Sequence, residues 1–265
     1  MYITNSAPYI LYFAVSASIA GECTTIKMAG DIEYPPVTWQ YQQDKTKIRG
    51  LALALAEKAF AEINVKIDPL HVGDWAKAQL DTKQGKVDLL AGAYINEERK
   101  VYMDYVHPPF LTDPVVLFIP SKKAYNFKFS QWQDLVSLKG VTTAGSSFGQ
   151  EFDRFTEQHL DIEYKAQMDD TFQQLLSGNA DYLIHGLYPG LASLTKAKLS
   201  MQITPHPKYV TEEGLYFGFS KKSPCKKHLN FFSKKINQYV KQKLPNSLVK
   251  KHFELWKEDF HLKEF

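Results

Sequence analysis

Apolar runs of strand length alternate with amphipathic helical stretches twice along this chain, and that alternation admits few folds. Thr25 to Ala29 reads as a short strand, with Ile26 and Met28 alternating. Gly50 precedes a helix whose Leu51, Leu55, Ala56, Ala59, Phe60 and Ile63 share one stripe. Val65 to Leu70 alternates as a strand. Gly73-Asp74-Trp75 opens a second helix that ends near Gly85, and Val87 to Leu90 is a buried strand. Strand, helix, strand, helix, strand specifies an α/β domain with a largely parallel sheet.

A long extended run, Pro114 to Pro120, leads to the polar, Lys-rich segment Ser121 to Lys128 and reads as a first crossing between two lobes. The rhythm then resumes. Gly140 to Ala144 is a strand, Gly145-Ser146-Ser147-Phe148-Gly149 turns into a helix that runs to about His159, and Ile162 to Lys165 is a strand. Asp169 or Asp170 is expected to cap a helix over Thr171 to Ser177, ended by Gly178. A strand at Ala180 to Ile184, a helix from about Pro189 to Leu199 and a strand at Met201 to Thr204 complete the second lobe. Leu215 to Phe219 is the returning strand. Two last helices follow, striped by Leu229, Phe232, Ile236, Tyr239 and Val240 and by Leu248, Phe253 and Trp256.

Composition supports a packed core. The 265 residues are 44% hydrophobic and 14% aromatic, unlike a disordered chain. A net charge of +3 is too mild for a nucleic-acid binder, and the late lysines are spread over helical faces. The eight His form no H-x-x-x-H or His/Cys cluster, and there is no P-loop or G-x-G-x-x-G, so no metal or other cofactor is expected.

Residues 1–20 read as a signal peptide, with an apolar run from Tyr9 and a Ser18-Ile19-Ala20 cleavage site. No Lys or Arg precedes that run, the first being Lys27. Glu22 before Cys23 argues against a lipidation site. An exported chain allows a disulfide between Cys23 and Cys225; two unpaired thiols fit the sequence equally.

Chemistry concentrates in Gly85 to Phe110. The small residues Ala91, Gly92 and Ala93 let a ligand approach the backbone. Asn96 is expected to cap a helix with Glu97 and Glu98 in its first turn. Arg99 shares that turn, just past a buried strand, where open α/β sheets bind ligands, and its fork suits a carboxylate. The same spacing suits an Arg paired with Glu98 or Asp104 on a solvated face. Gly145-x-Ser147-x-Gly149 also fits a nucleophile elbow, with Asp181 and His185 or Asp259 and His261 formally available, although no Gly-rich oxyanion segment precedes it.

Strand, small residues, N-E-E-R, then YVHPPF resembles the signature of the periplasmic solute-binding proteins of family 3, the polar amino-acid receptors of ABC transporters. The match extends in order over about residues 25 to 256. The resemblance implies a two-lobed α/β periplasmic-binding-protein fold of type II, with lobe 1 at 24–118 and 214–265, lobe 2 at 119–213, and a ligand cleft between lobes joined by two hinge strands. It implies a periplasmic monomer that takes a small-molecule ligand, with an ABC permease as partner and no catalytic residues. Arg99 would grip a carboxylate, with Gly145, Ser146 and Ser147 donating from lobe 2. Tyr34 matches the family aromatic; Val37 stands where Phe is usual, and Trp39 would supply the missing ring. Trp75 matches another aromatic position near the ligand. Tyr34, Trp39 and Trp75 equally suit ordinary partly buried aromatics.

Three departures reshape the expected pocket. The acid near the start of the first helix is absent. Tyr94 stands where a small Ser or Thr is frequent. Gly186 falls where the acid that holds the ligand's ammonium should be, beside His185, which reads as a neutral strand-end histidine. The expected ligand is therefore a carboxylate without the α-amine, or one whose amine is held elsewhere. Two other functions fit the same fold: a cyclohexadienyl-dehydratase-like enzyme, with Glu33, Glu213 or Asp169 as the acid, and a sensory binding protein without a transporter.

Overall fold

A computed structural model describes residues 23–262; the expected signal peptide lies outside them. The described chain opens with β1 (Thr25–Gly30) and a small three-stranded sheet of β2 (Glu33–Tyr34), β3 (Thr38–Gln40) and β4 (Ile48–Arg49). Next come α1 (Leu51–Phe60), β5 (Lys66–Pro69), α2 (Trp75–Gln84), β6 (Leu89–Ala93) and α3 (Glu97–Tyr102). A long strand, β7 (Met103–Pro120), carries the chain into β8 (Lys139–Thr143), α4 (Gln150–His159), β9 (Asp161–Lys165), α5 (Met168–Ser177), β10 (Tyr182–Gly186) and α6 (Leu187–Ala197). The chain returns along β11 (Ile203–Ser220) and ends in α7 (Leu229–Lys241) and α8 (Leu244–Asp259).

The main sheet has the order β5-β1-β6-β11-β7-β10-β8-β9. Its two flanks are parallel, β1 with β5 and β6 on one side and β8 with β9 and β10 on the other. The antiparallel pair β7 and β11 joins them, in register from Ile203 opposite Pro120 to Ser220 opposite Met103, with shifts between. The strands expected at Met201–Thr204 and Leu215–Phe219 are thus two ends of β11, and the run expected from Pro114 begins at Met103. Pairing with a partner of equal length holds these strands extended across their prolines and bulges.

Each flank has its own core. Phe60, Phe217 and Phe232 centre the first, with Phe60 and Phe232 ring centroids 4.8 Å apart. Burial of each such ring stabilises by about 1.5–3 kcal/mol. The run PVVLFIP is buried on both faces: Val115, Leu117 and Ile119 join one cluster and Val116 and Phe118 another, as a period of two requires. At Gly50, φ is +148°, and a Cβ would lie 2.0 Å from the Val37 carbonyl oxygen, so only glycine can bring the chain into α1 there. Cys23 and Cys225 form a disulfide, with Cα atoms 5.1 Å apart, which decides between the two cysteine readings. The α5 cap is Gln167, with Asp169 and Asp170 in the first turn where the helix dipole favours acids. No described helix is long and apolar enough to cross a membrane.

Candidate functional site

A cleft of about 250 Å³ lies between the two flanks. Its first wall grows from the end of β6. Asn96 caps α3 by accepting from the Arg99 N–H at 2.8 Å, and this sets Arg99 at the cleft. Arg99 is only 5% exposed. Its Nε donates to Gln79 at 2.9 Å, its Nη1 donates to the Tyr94 carbonyl at 3.1 Å, and its face lies 5.4 Å from the Trp75 ring. Arg99 pairs with no carboxylate among the described residues; Asp104 instead pairs with Lys226 at 3.0 Å. A buried cation held by neutral partners is an incomplete arrangement that an anion completes.

The opposite wall is the loop from β8 to α4. Thr143 and Ser146 hydroxyls lie 2.8 Å apart. Asp153, in the first turn of α4, accepts from the Ser147 hydroxyl at 2.5 Å and from the Phe148 N–H at 2.8 Å. The loop is therefore fixed from within, and Ser147 offers a cleft its oxygen lone pairs rather than its proton. No histidine bonds to Ser147 among the described residues. Asp181 accepts from the Lys139 N–H, and Asp259 is taken by Trp39 and Arg49, so neither serves a triad. The nucleophile-elbow reading has no geometric basis here.

Between the walls stand Tyr34, Gly92, Tyr94, His185 and Gly186. The Tyr34 hydroxyl donates to Asp113 Oδ2 at 2.6 Å; the Tyr94 hydroxyl lies 3.2 Å from that of Tyr34 and 3.5 Å from the same carboxylate oxygen. Asp113 is fully buried in β7, and burial pushes its carboxyl up to about 7 against the lowering effect of the Tyr34 bond. Burial and the neighbouring Asp113 together raise both tyrosines far above their usual range. Burial lowers His185 to about 4, which keeps the ring neutral near pH 7, and its Nδ1 has no hydrogen-bond partner. On the same rim Asp31, pushed up to about 6 by burial, and Glu33, paired with Lys196 at 3.1 Å, also face the cleft.

Of the residues expected at the ligand, Tyr34, Trp75, Gly92, Tyr94, Arg99, Ser146, Ser147 and His185 line this one cleft. Trp39 does not, and the expectation is corrected: it is 0% exposed, clustered with Trp256 and Ala192, and its Nε1 donates to Asp259 at 2.8 Å. The indole N–H needs a partner when buried, and the acid near the end of α8 supplies it. Ala93 is likewise turned away, packed with Ala78 and Tyr102 behind the sheet. Asp169 and Glu213 are not among the lining residues, whereas Asp31, Gln167 and Ser193 are. Sequence reasoning missed Asp113. Its signal was present, because it is the one charged side chain (Asp, Glu, Lys or Arg) between Asp104 and Lys122, set in an apolar strand. Among the described residues no group of three or more His, Cys, Asp or Glu side chains is placed to hold a metal ion.

Comparison with curated proteins gives no match. Solved structures share the fold at low identity. A histidine kinase sensor domain with similarity to periplasmic binding proteins superposes with a TM-score of 0.70 at 20% identity, covering 86% of this chain and 95% of its own. The substrate-binding protein AbpA of an amino-acid ABC transporter from Streptococcus pneumoniae, bound to L-arginine, gives 0.67 at 17%, covering 87% and 95%. The ancestral amino-acid-binding protein AncCDT-1, a precursor of cyclohexadienyl dehydratase, gives 0.64 at 22%, covering 87% and 96%. These place the architecture with the type II periplasmic binding proteins, and the profile of one family matches residues 26–255. The chain belongs to the bacterial extracellular solute-binding proteins, family 3.

Proposed function

We propose that this protein captures a small carboxylate-bearing solute by closing two lobes, 24–118 with 214–265 and 119–213, about the paired strands β7 and β11. The observation that carries this reading is Arg99, buried at the cleft without a carboxylate of its own. In this reading Arg99 receives the ligand carboxylate, Trp75 holds the guanidinium plane, and the loop of Ser146 and Ser147 closes from the other lobe. Tyr34, Gly92, Tyr94 and His185 complete the contacts. No catalytic residue is assigned. The protein works as an extracytoplasmic monomer after removal of residues 1–20, and delivers its solute to an ABC permease.

Thermal-shift titration of the mature protein with amino acids, dicarboxylates and keto acids tests this. A ligand at a thousand times its dissociation constant adds about 4 kcal/mol, and each kcal/mol raises the melting temperature by about 2–4 °C at this size. Arg99→Ala is expected to weaken the hit about a hundredfold or more, because a buried charged partner is lost. Absence of a shift with every carboxylate would sink the reading. Asp31 favours a second one: burial brings its carboxyl on the cleft rim to about 6, closer to the working pH as a general acid's is, so a ligand consumed during incubation would make the protein a dehydratase-like enzyme.

A further inference from the structure

Helix α6 follows β10 in the chain, yet it does not pack on its own flank alone. Leu194 points inward and joins the cluster of Phe172 and Leu183. Pro189 and Ser193, about one helical turn apart, line the cleft. Tyr188, Ala192 and Lys196 form a third stripe at i, i+4 and i+8, and each member touches residues of the segments 24–118 and 214–265. Tyr188 packs against the cluster of Phe60 and Phe217. Ala192, 1% exposed, is clustered with Trp39 and Trp256. The Lys196 ammonium pairs with Glu33 at 3.1 Å and lies 5.3 Å from the centre of the Phe260 ring.

The surface that receives this stripe is held in place from behind. Asp259, near the end of α8, accepts from Trp39 Nε1 at 2.8 Å and from Arg49 at 2.9 Å. The Trp256 and Phe260 ring centroids lie 5.8 Å apart. Three aromatic side chains therefore make a platform, and a small residue, Ala192, lets the helix approach it. Trp39, Trp256, Phe260, Tyr188, Ala192 and Lys196 are not among the residues that line the cleft. The contact joins the two sides of the molecule through groups that a solute in the cleft need not touch. Parting the sides about β7 and β11 would bare Ala192 and the indoles to water, which apolar surface resists.

We propose that the Tyr188, Ala192 and Lys196 stripe of α6 is a latch, which docks on the platform of Trp39, Trp256 and Phe260 and sets how often the two lobes open. The inference rests on the lobe closure put forward above and adds to it a second interface, outside the cleft. A latch of this kind favours the closed form whatever the solute is. It raises affinity for every solute by the same factor and adds no specificity, because it changes only the population of the closed form.

The test needs no solute: small-angle X-ray scattering of the mature protein, with circular dichroism to confirm folding. The wild type should match the profile of this structure. Ala192→Glu puts a charge against two indoles when the latch is shut and into water when it is open. It should raise the radius of gyration by about 1 Å above the value of about 18 Å typical of a compact chain this long. Lys196→Glu sets two carboxylates face to face at the surface and should give a smaller rise; Glu33→Lys combined with Lys196→Glu should reverse it. Coincident profiles for the wild type and the folded variants overturn the latch and leave the receptor reading standing. So does a wild type already more expanded than the structure, with variants no larger. Should Ala192→Glu lose its helical spectrum, Lys196→Glu decides, and an unchanged profile there overturns the latch. The receptor reading fails on a different measurement, the thermal-shift titration, so the two failures are told apart.

Discussion

Trp39 and Tyr34 lie five positions apart and face opposite ways, one into a hydrophobic cluster and one into the cleft. Their neighbours in the fold decide this. Trp39 is consequently a control for the cleft. Trp39→Phe leaves Asp259 with Arg49 alone, and should destabilise by about 1–3 kcal/mol through the lost buried hydrogen bond. Ligand affinity should remain within about threefold by calorimetry; a larger loss would return Trp39 to the site. Arg99 was legible because strand, cap and acidic first turn are local signals. Asp113 was not, because its meaning depends on Tyr34 and Tyr94, which the fold alone brings to it. A carboxylate inside an apolar strand was visible, but its tyrosine partners were not.

At the scale of elements, turns and caps were read well where one residue type settles the geometry. Gly85 and Gly178 end α2 and α5, Asn96 caps α3 and Asp74 caps α2. Long strands were read poorly. β7 and β11 contain prolines and register shifts that break the local pattern, and their continuity comes from pairing with each other. At the start of α4, Gly149 has φ +101° with Glu213 Oε1 2.0 Å from a would-be Cβ. Gly149→Ala should therefore lower the urea midpoint by an amount equivalent to about 1–3 kcal/mol, from backbone strain and displacement of Glu213; an unchanged midpoint would contradict this local geometry. The Cys23–Cys225 bond closes a loop with a sequence separation of 202. Loop closure on that scale stabilises by about 3–5 kcal/mol, so Cys225→Ser should lower the melting temperature by about 6–20 °C. A change below 2 °C would show that the unfolded chain gains little freedom from losing the bond.

Across the whole molecule, buried titratable groups link stability to pH. Asp113 stands near 7 in the folded protein and near its ordinary value of about 3.9 when unfolded. Between those values the folded state holds a proton that the unfolded state has lost, so stability falls as pH rises from about 4 through about 7. Asp31, at about 6, acts in the same direction. His185, held near 4, acts oppositely, adding stability as pH rises from about 4 to its ordinary value of about 6.5. From pH 6.5 to 8 Asp113 is the main contributor. Urea midpoints of the ligand-free protein should decline over that interval, and the decline should be shallower in Asp113→Asn. Parallel slopes in the two proteins would mean that Asp113 does not titrate there.

The paired strands β7 and β11 also impose an order of maturation on a nascent chain. β8, β9 and β10 pair among themselves and with β7, all within residues 103–186. The flank synthesised first waits for more: β6 needs Phe217 to Phe219 of β11, Phe60 needs Phe232 of α7, and Cys23 needs Cys225. Long-range pairings of this kind form late, because the intervening chain must be closed before any contact stabilises it. The middle of the chain can collapse into its own core while the opening segment is still incomplete, so the part made second matures first. During that interval the unpaired edge of β6 and the apolar stripe of α1 are exposed to solvent, and it is there that a holding chaperone would have most to cover.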